Sequence, residues 1–173
     1  MPSLSDLNAF DQAGFTVALG HLFEHSPWVA EAAWARRPFR DAAHLHAELC
    51  GVMQSAPMER QLALIRAHPD LAGRLAQQNK LTAESTREQA SAGLNALTEA
   101  EMAEFTRLND RYQQQFGFPF IICARLNAKA AIVAAMKTRL ANTPAAEHAA
   151  ALAEIEKIAW LRLQDTLGTT HPH

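Results

Sequence analysis

No apolar run in this 173-residue chain approaches the roughly 18 residues that a membrane-spanning helix needs, so a membrane partner is excluded. Cysteine is scarce. Cys50 and Cys123 are the two in the chain, and neither has a second cysteine at CxxC spacing. A disulfide scaffold and a structural zinc site are therefore unsupported, and a reduced, cytoplasmic setting is expected. Charge of one sign is also lacking. Lys plus Arg number 16 against 18 Asp plus Glu, for a net charge of −2, with no basic run and no regular interleaving of arginine and aromatics. Nucleic acid is excluded as a partner on that ground. The opening residues Met1 to Asp6 carry neither the charged nor the apolar region of a signal peptide. No P-loop, dinucleotide fingerprint, internal repeat or low-complexity tract is visible.

Glycine and proline are sparse, at 7 and 8, and alanine is abundant. With 49% hydrophobic residues, the chain can bury a core, and its composition favours helix over sheet. The expected architecture is all-α: a single compact domain of about eight helices over residues 1–173, with 1–6 and 168–173 frayed. Helix starts are marked by capping residues: Asp11, Ser26 before Pro27, Asp41, Thr82, and Thr98 with Glu101 as a capping box. Stops are marked by Gly93, Gly117 and Gly168. Leu45, Leu49 and Val52 form one apolar stripe, and Met102, Phe105, Leu108 and Tyr112 another.

The run Arg66-Ala67-His68-Pro69-Asp70-Leu71-Ala72-Gly73-Arg74 organises the functional reading. Residues 58–67 read as a helix, with apolar positions at 58, 62 and 65. Pro69 disfavours helical angles at the residue before it, so that helix should end near His68. The proline suits the first turn of a new helix from Asp70 to Gln78, with Gly73 inside it at a cost of about 1 kcal/mol. An imidazole at such a break can face a cleft, and it titrates close enough to neutrality to serve as acid or base. A helix C-cap is the other role open to it.

Two further stretches stand out. Ser85, Glu88, Gln89 and Ala92 share one face of a helix over 83–92, and its apolar residues are only alanines. Such a face either meets solvent or looks onto something polar. The run Phe116-Gly117-Phe118-Pro119-Phe120-Ile121-Ile122-Cys123-Ala124-Arg125 is too apolar for an exposed loop, and its proline argues against a central strand. Read as buried irregular backbone, it needs partners for its N–H and C=O groups. A ligand, water or another helix end could supply them. On the last helix, Arg162 falls on the stripe of Leu152, Ile155 and Ala159. It needs either a counter-ion, such as a bound carboxylate, or a route for its head to water.

Three runs together resemble one family: His68-Pro69-Asp70-Leu71-Ala72-Gly73; Ser85-Thr86-Arg87-Glu88-Gln89 followed by Ser91-Ala92-Gly93-Leu94; and 116–125 preceded by Leu108-Asn109 and Tyr112. The family is 2-oxo-4-hydroxy-4-carboxy-5-ureidoimidazoline (OHCU) decarboxylase. Supporting similarity extends from Leu7-Asn8 through Arg37-Pro38-Phe39 to Ile158-Ala159-Trp160-Leu161-Arg162-Leu163, nearly the whole chain. The resemblance implies an all-α enzyme without cofactor or metal, typically a homodimer. Its substrate is the small molecule OHCU, which it decarboxylates to (S)-allantoin late in urate breakdown. It places the catalytic residues at His68, Glu88 and Arg162. Substrate binding falls on Pro69, on Ser85, Thr86, Arg87, Glu88 and Gln89, and on Phe120, Ile121, Ile122, Cys123 and Ala124. Arg74 and Gln115 depart from the family's pattern, where lysine is common. The peroxisomal Ser-Lys-Leu ending of some members is absent, which agrees with a bacterial-type cytoplasmic protein.

Two other classes compete with this reading. A helical interaction module would leave the 116–124 segment as an exposed apolar patch. A metal-dependent hydrolase would use His21 and His25, four apart on a helix, although Leu22 stands where the zincin pattern has glutamate.

Overall fold

Most helices begin where a side chain can satisfy their first free N–H groups. A computed structural model describes residues 1–169, which form two compact units: Met1–Ala67 with Glu156 onward, and His68–Ile155. No strand occurs among the described residues, so the all-α expectation holds.

In the first unit, Ser3 and Asp6 form a capping box for α1 (Leu4–Ala9). Asp6 accepts from the Ser3 N–H at 2.8 Å, and α1 starts at Leu4, within the end expected to fray. Asp11 caps α2 (Gln12–Leu19), which tightens into a 3₁₀ turn over Gly20–Leu22. α3 (Trp28–Ala33) has Pro27 as its N-cap, and Ser26, the expected cap, instead donates its hydroxyl to the Glu24 carbonyl at 2.9 Å. Asp41 caps α4 (Ala42–Gln54), whose Leu45, Leu49 and Val52 are buried as the stripe predicts. α5 (Met58–Ala67) follows and buries Gln61, Leu64 and Ile65, while Met58 is exposed. Gln61 is held by the carbonyls of Met53 and Gln54.

In the second unit the His68 loop leads to α6 (Arg74–Gln77), which is shorter than expected. Gly73 is not inside this helix but in front of it, as an extended N-cap. The reason is local: Ala72 takes a left-handed φ of 50°, which a continuing α-helix cannot accommodate. Thr82 caps α7 (Ala83–Ser91), and Gly93 follows it at φ 79°. α8 (Glu99–Phe116) opens on the Thr98–Glu101 capping box and closes at Gly117, φ 75°. It buries Phe105, Leu108, Asn109 and Tyr112. After it come the irregular segment, a 3₁₀ turn at Ala124–Leu126 and α9 (Lys129–Arg139).

The last helix, α10 (Pro144–Leu167), supplies Ala151, Leu152 and Ile155 to the core of the second unit, and Ala159 and Leu163 to that of the first. Gly168 at φ 68° closes it, with Thr169 N–H donating to the Gln164 carbonyl at 3.0 Å. The remaining residues of the end expected to fray, 170–173, lie outside those described. No helix among the described residues is long and apolar enough to cross a membrane.

Candidate active site

His68 is only 7% exposed, so its ring lies inside protein rather than at a solvated helix end. The backbone after it is unusual. Pro69 fixes its own φ, Gly73 N–H closes a turn onto the Asp70 carbonyl at 3.3 Å, and Ala72 is left-handed. A non-glycine residue in that region costs about 1–2 kcal/mol and persists where the surroundings over-determine it.

Here the surroundings are side chains from other elements. Gln89 of α7 accepts from the Ala72 N–H at 2.9 Å and donates to the Asp70 carbonyl at 3.3 Å. Asn109 of α8 donates to the Leu71 carbonyl at 2.9 Å. Gln77 donates to the Ala72 carbonyl at 3.3 Å. Gly73 leaves no room for a side chain, since a Cβ there would lie 2.5 Å from Asp70 Cβ. Burial, reinforced by the charge of Asp110, pushes the Asp70 carboxyl above its ordinary range.

α7 turns its polar face inward. Ser85 and Gln89 are buried and Glu88 is half-buried, so this is not a solvated surface helix. Thr86 and Arg87 are not brought in with them. Both are exposed; the Thr86 hydroxyl donates to the Thr82 carbonyl, and Arg87 lies 3.7 Å from Glu84. The Gln89 amide, expected at the substrate, is engaged at both ends by the loop that carries His68.

The segment after α8 is buried and irregular, as its sequence predicts, with Phe118, Phe120, Ile121 and Cys123 all at most 3% exposed. Its backbone finds partners within the chain. Cys123 N–H donates to Glu154 at 2.8 Å, the Cys123 carbonyl accepts from Asn127, and the Ile121 carbonyl accepts from Arg139 at 2.7 Å. Arg139 also lies 4.3 Å over the Phe120 ring and pairs with Glu147 at 2.9 Å. Glu147, fully buried, accepts further bonds from Tyr112 and Asn142. Burial works against its charge, but the bonds from Arg139, Tyr112 and Asn142 prevail and lower its pKa.

α7 packs on the 3₁₀ turn that ends this segment. Burial first, then the charges of Glu154 and Glu88, push the Cys123 thiol up to about 11, so it stays protonated and poorly nucleophilic at neutral pH. α7 therefore links two parts of the site. Gln89 fixes the His68 loop, while the charge of Glu88 reaches Cys123.

Arg162 belongs to the other unit. Its guanidinium lies 3.0 Å from Glu24 and donates to the His21 carbonyl at 3.1 Å, with both members of the ion pair at most 3% exposed. The counter-ion that an arginine on an apolar stripe demands is thus a residue of the chain. Nearby, His21 bonds the Thr166 hydroxyl and His25 is exposed. No group of three or more His, Cys, Asp or Glu fit to hold a metal occurs among the described residues.

An open cleft of about 470 Å³ also borders the loop, lined by residues that include Ala72, Gln77, Thr86, Gln89, Leu94 and Met102. Neither His68 nor Glu88 lines it.

The sequence reading gave no role to Asn109, Arg139, Glu147, Glu154 or Glu24. Asn109 did carry a signal, because it is an amide within the Phe105, Leu108 and Tyr112 stripe. Glu147 resembled an ordinary first-turn acid of α10, and nothing in the sequence separated Glu154 or Glu24 from surface acids.

The family model described as OHCU decarboxylase matches residues 8–164. The chain belongs to the OHCU decarboxylase family. Among its relatives, the OHCU decarboxylase of Amia calva is 41% identical over 98% of this chain and 97% of the relative. That of Mus musculus is 40% identical over 96% and 93%. The uric acid degradation bifunctional protein PucL of Bacillus subtilis is 40% identical, and this chain spans 33% of its length. Among solved structures, a crystal structure of (S)-allantoin synthase superposes with a TM-score of 0.77 at 31% identity, covering 96% of this chain and about half, 54%, of that one. An OHCU decarboxylase crystallised in the presence of (S)-allantoin shares the fold, with a TM-score of 0.69 at 21% identity over 92% of this chain and 99% of that one.

Proposed function

We infer that this chain decarboxylates OHCU to (S)-allantoin in urate degradation, as a carboxy-lyase. The observation that carries the reading is the near full-length correspondence with relatives of that name at about 40% identity, within which His68 lies in a buried, side-chain-braced loop.

The substrate bears a carboxylate and a hydroxyl on one ring carbon, next to the carbon that bears the ureido group. Breaking the bond to the carboxylate releases CO₂ and leaves the electron pair on the ring, where it delocalises. The hydroxyl proton leaves as that carbon becomes a carbonyl, a proton is added to the ureido-bearing carbon on one face, and the ring nitrogen that shares the charge takes up one more from solvent. The site must therefore stabilise developing negative charge and handle two protons with a fixed handedness. Well-aimed donors are each worth about 3–4 kcal/mol of barrier, and acid–base help about 10²–10⁴-fold.

His68 is the acid–base group of this proposal, acting at the hydroxyl or on the carbanion. Glu88 orients the hydroxyl or the imidazole. Arg162, held by Glu24, is the cation for anionic oxygen. Pro69, Ser85 and the backbone of 120–124 recognise ureido and ring amides. Thr86 and Arg87, being exposed, can contribute only through their backbone. Gln89 acts on the substrate through the loop it braces. The enzyme is further proposed to be a cytoplasmic homodimer, which light scattering of the purified protein checks for oligomeric state.

The test is to supply freshly generated OHCU and follow the circular dichroism of the allantoin formed. A rapid rise of the (S) signal supports the reading, and racemic allantoin at the spontaneous rate overturns it.

A further inference from the structure

We propose that Asn109 is a positioning residue for His68, acting through the Leu71 carbonyl; this rests on His68 being the acid–base group. Pro69 and Ala72 leave the backbone after His68 unable to form helix, so the loop's path is set by what grips it. Gln89 grips the Asp70 carbonyl and the Ala72 N–H from α7. Asn109 grips the Leu71 carbonyl, on the same peptide unit as the Ala72 N–H, from α8, at 2.9 Å. Asn109 is 6% exposed, and its carbonyl oxygen Oδ1 accepts no hydrogen bond among the described residues. The carboxamide therefore serves the loop through its N–H group alone. A buried amide on an otherwise apolar helix stripe is unfavourable unless it secures such a bond. Removing the donor leaves a buried peptide carbonyl unmatched beside the catalytic ring. The loop then relaxes at the point where α8 holds it, and His68 moves with it. Displacements of this size can cost about a hundredfold in rate without touching the substrate.

Asn109→Asp tests this, because shape is kept and the donor becomes conditional on protonation. Ionised, the carboxylate faces the Leu71 carbonyl and repels it; protonated, its O–H can donate there. The expected result is a fall in kcat of about tenfold to a hundredfold at pH 8, with KM changed less than twofold and the deficit shrinking as pH is lowered. A deficit independent of pH, or wild-type kcat in folded protein, overturns the proposal.

A second measurement needs no substrate. The imidazole signals of histidine-labelled protein are recorded for wild type and variant, with His68 assigned from His68→Asn. A shift of the His68 signals under Asn109→Asp supports the positioning role, and unmoved signals overturn it. If Asn109→Asp does not fold, Asn109→Ala, which removes the donor, replaces it in both measurements, with Asn109→Ser, smaller and still a donor, beside it. Ser should keep kcat closer to wild type than Asn109→Ala, and equal losses overturn the proposal. Should the wild-type protein fail to turn over OHCU, the functional reading falls while the imidazole signals still decide the geometry.

Discussion

Arg162 and Glu147 show how much buried charges depend on the groups that surround them. The Arg162–Glu24 pair is buried on both sides. Glu24→Gln removes the counter-charge and leaves a guanidinium in the interior, so a loss of about 3–5 kcal/mol in unfolding free energy by urea titration is expected. Glu147 makes a different prediction, about pH. Its native pKa is lowered below the ordinary 4.5, so the unfolded state binds the proton more readily. Its stabilising contribution is therefore complete above 4.5 and disappears as pH falls through the lowered native value. Asp70, whose pKa is raised, works in the opposite sense and weakens the native state as pH rises above its ordinary 3.8. Unfolding curves recorded from pH 7 down to 3 should show a steep acid loss in wild type and a shallower one in Glu147→Gln.

Helix starts and stops were largely legible, because caps are local chemistry. Thr82, Thr98 with Glu101, Asp11 and Asp41 all act as read, and Gly93, Gly117 and Gly168 follow helix ends. The reading failed where a tertiary contact overrides local preference. Ser26 turns its hydroxyl to the Glu24 carbonyl, and the first part of the helix expected from Asp70 is instead a loop gripped by Gln89 and Asn109, so that α6 starts only at Arg74. Neither partner is visible from within the loop's own sequence. Gly73 makes the difference testable. Gly73→Ala forces a Cβ to 2.5 Å from Asp70 Cβ and should disturb the His68 loop, with activity falling more than tenfold. Gly93→Ala meets nothing within 4 Å but keeps a φ of 79°, so it should cost about 1–2 kcal/mol of stability and leave kcat nearly unchanged. Melting temperatures and kcat of the two variants separate these effects.

At the scale of the whole molecule, the all-α class followed from composition, while the division into two compact units did not. α10 appears as one uninterrupted stripe in sequence although its halves serve different cores. The candidate site was legible in part. His68, Ser85, Glu88 and the 120–124 segment fall in one unit, with α7 packed on the turn that ends that segment, whereas Thr86 and Arg87, which the resemblance also implies, are exposed. Family membership gives the reaction, and the braced His68 loop gives the account its central claim, that this imidazole carries proton transfer. The most direct measurement is the loss of freshly generated OHCU, followed by circular dichroism, with His68→Asn beside wild type and an enzyme-free control. The account predicts that His68→Asn, folded as judged by its melting curve, slows turnover by about 10²–10⁴-fold, toward the spontaneous rate. Turnover near that of wild type would contradict it.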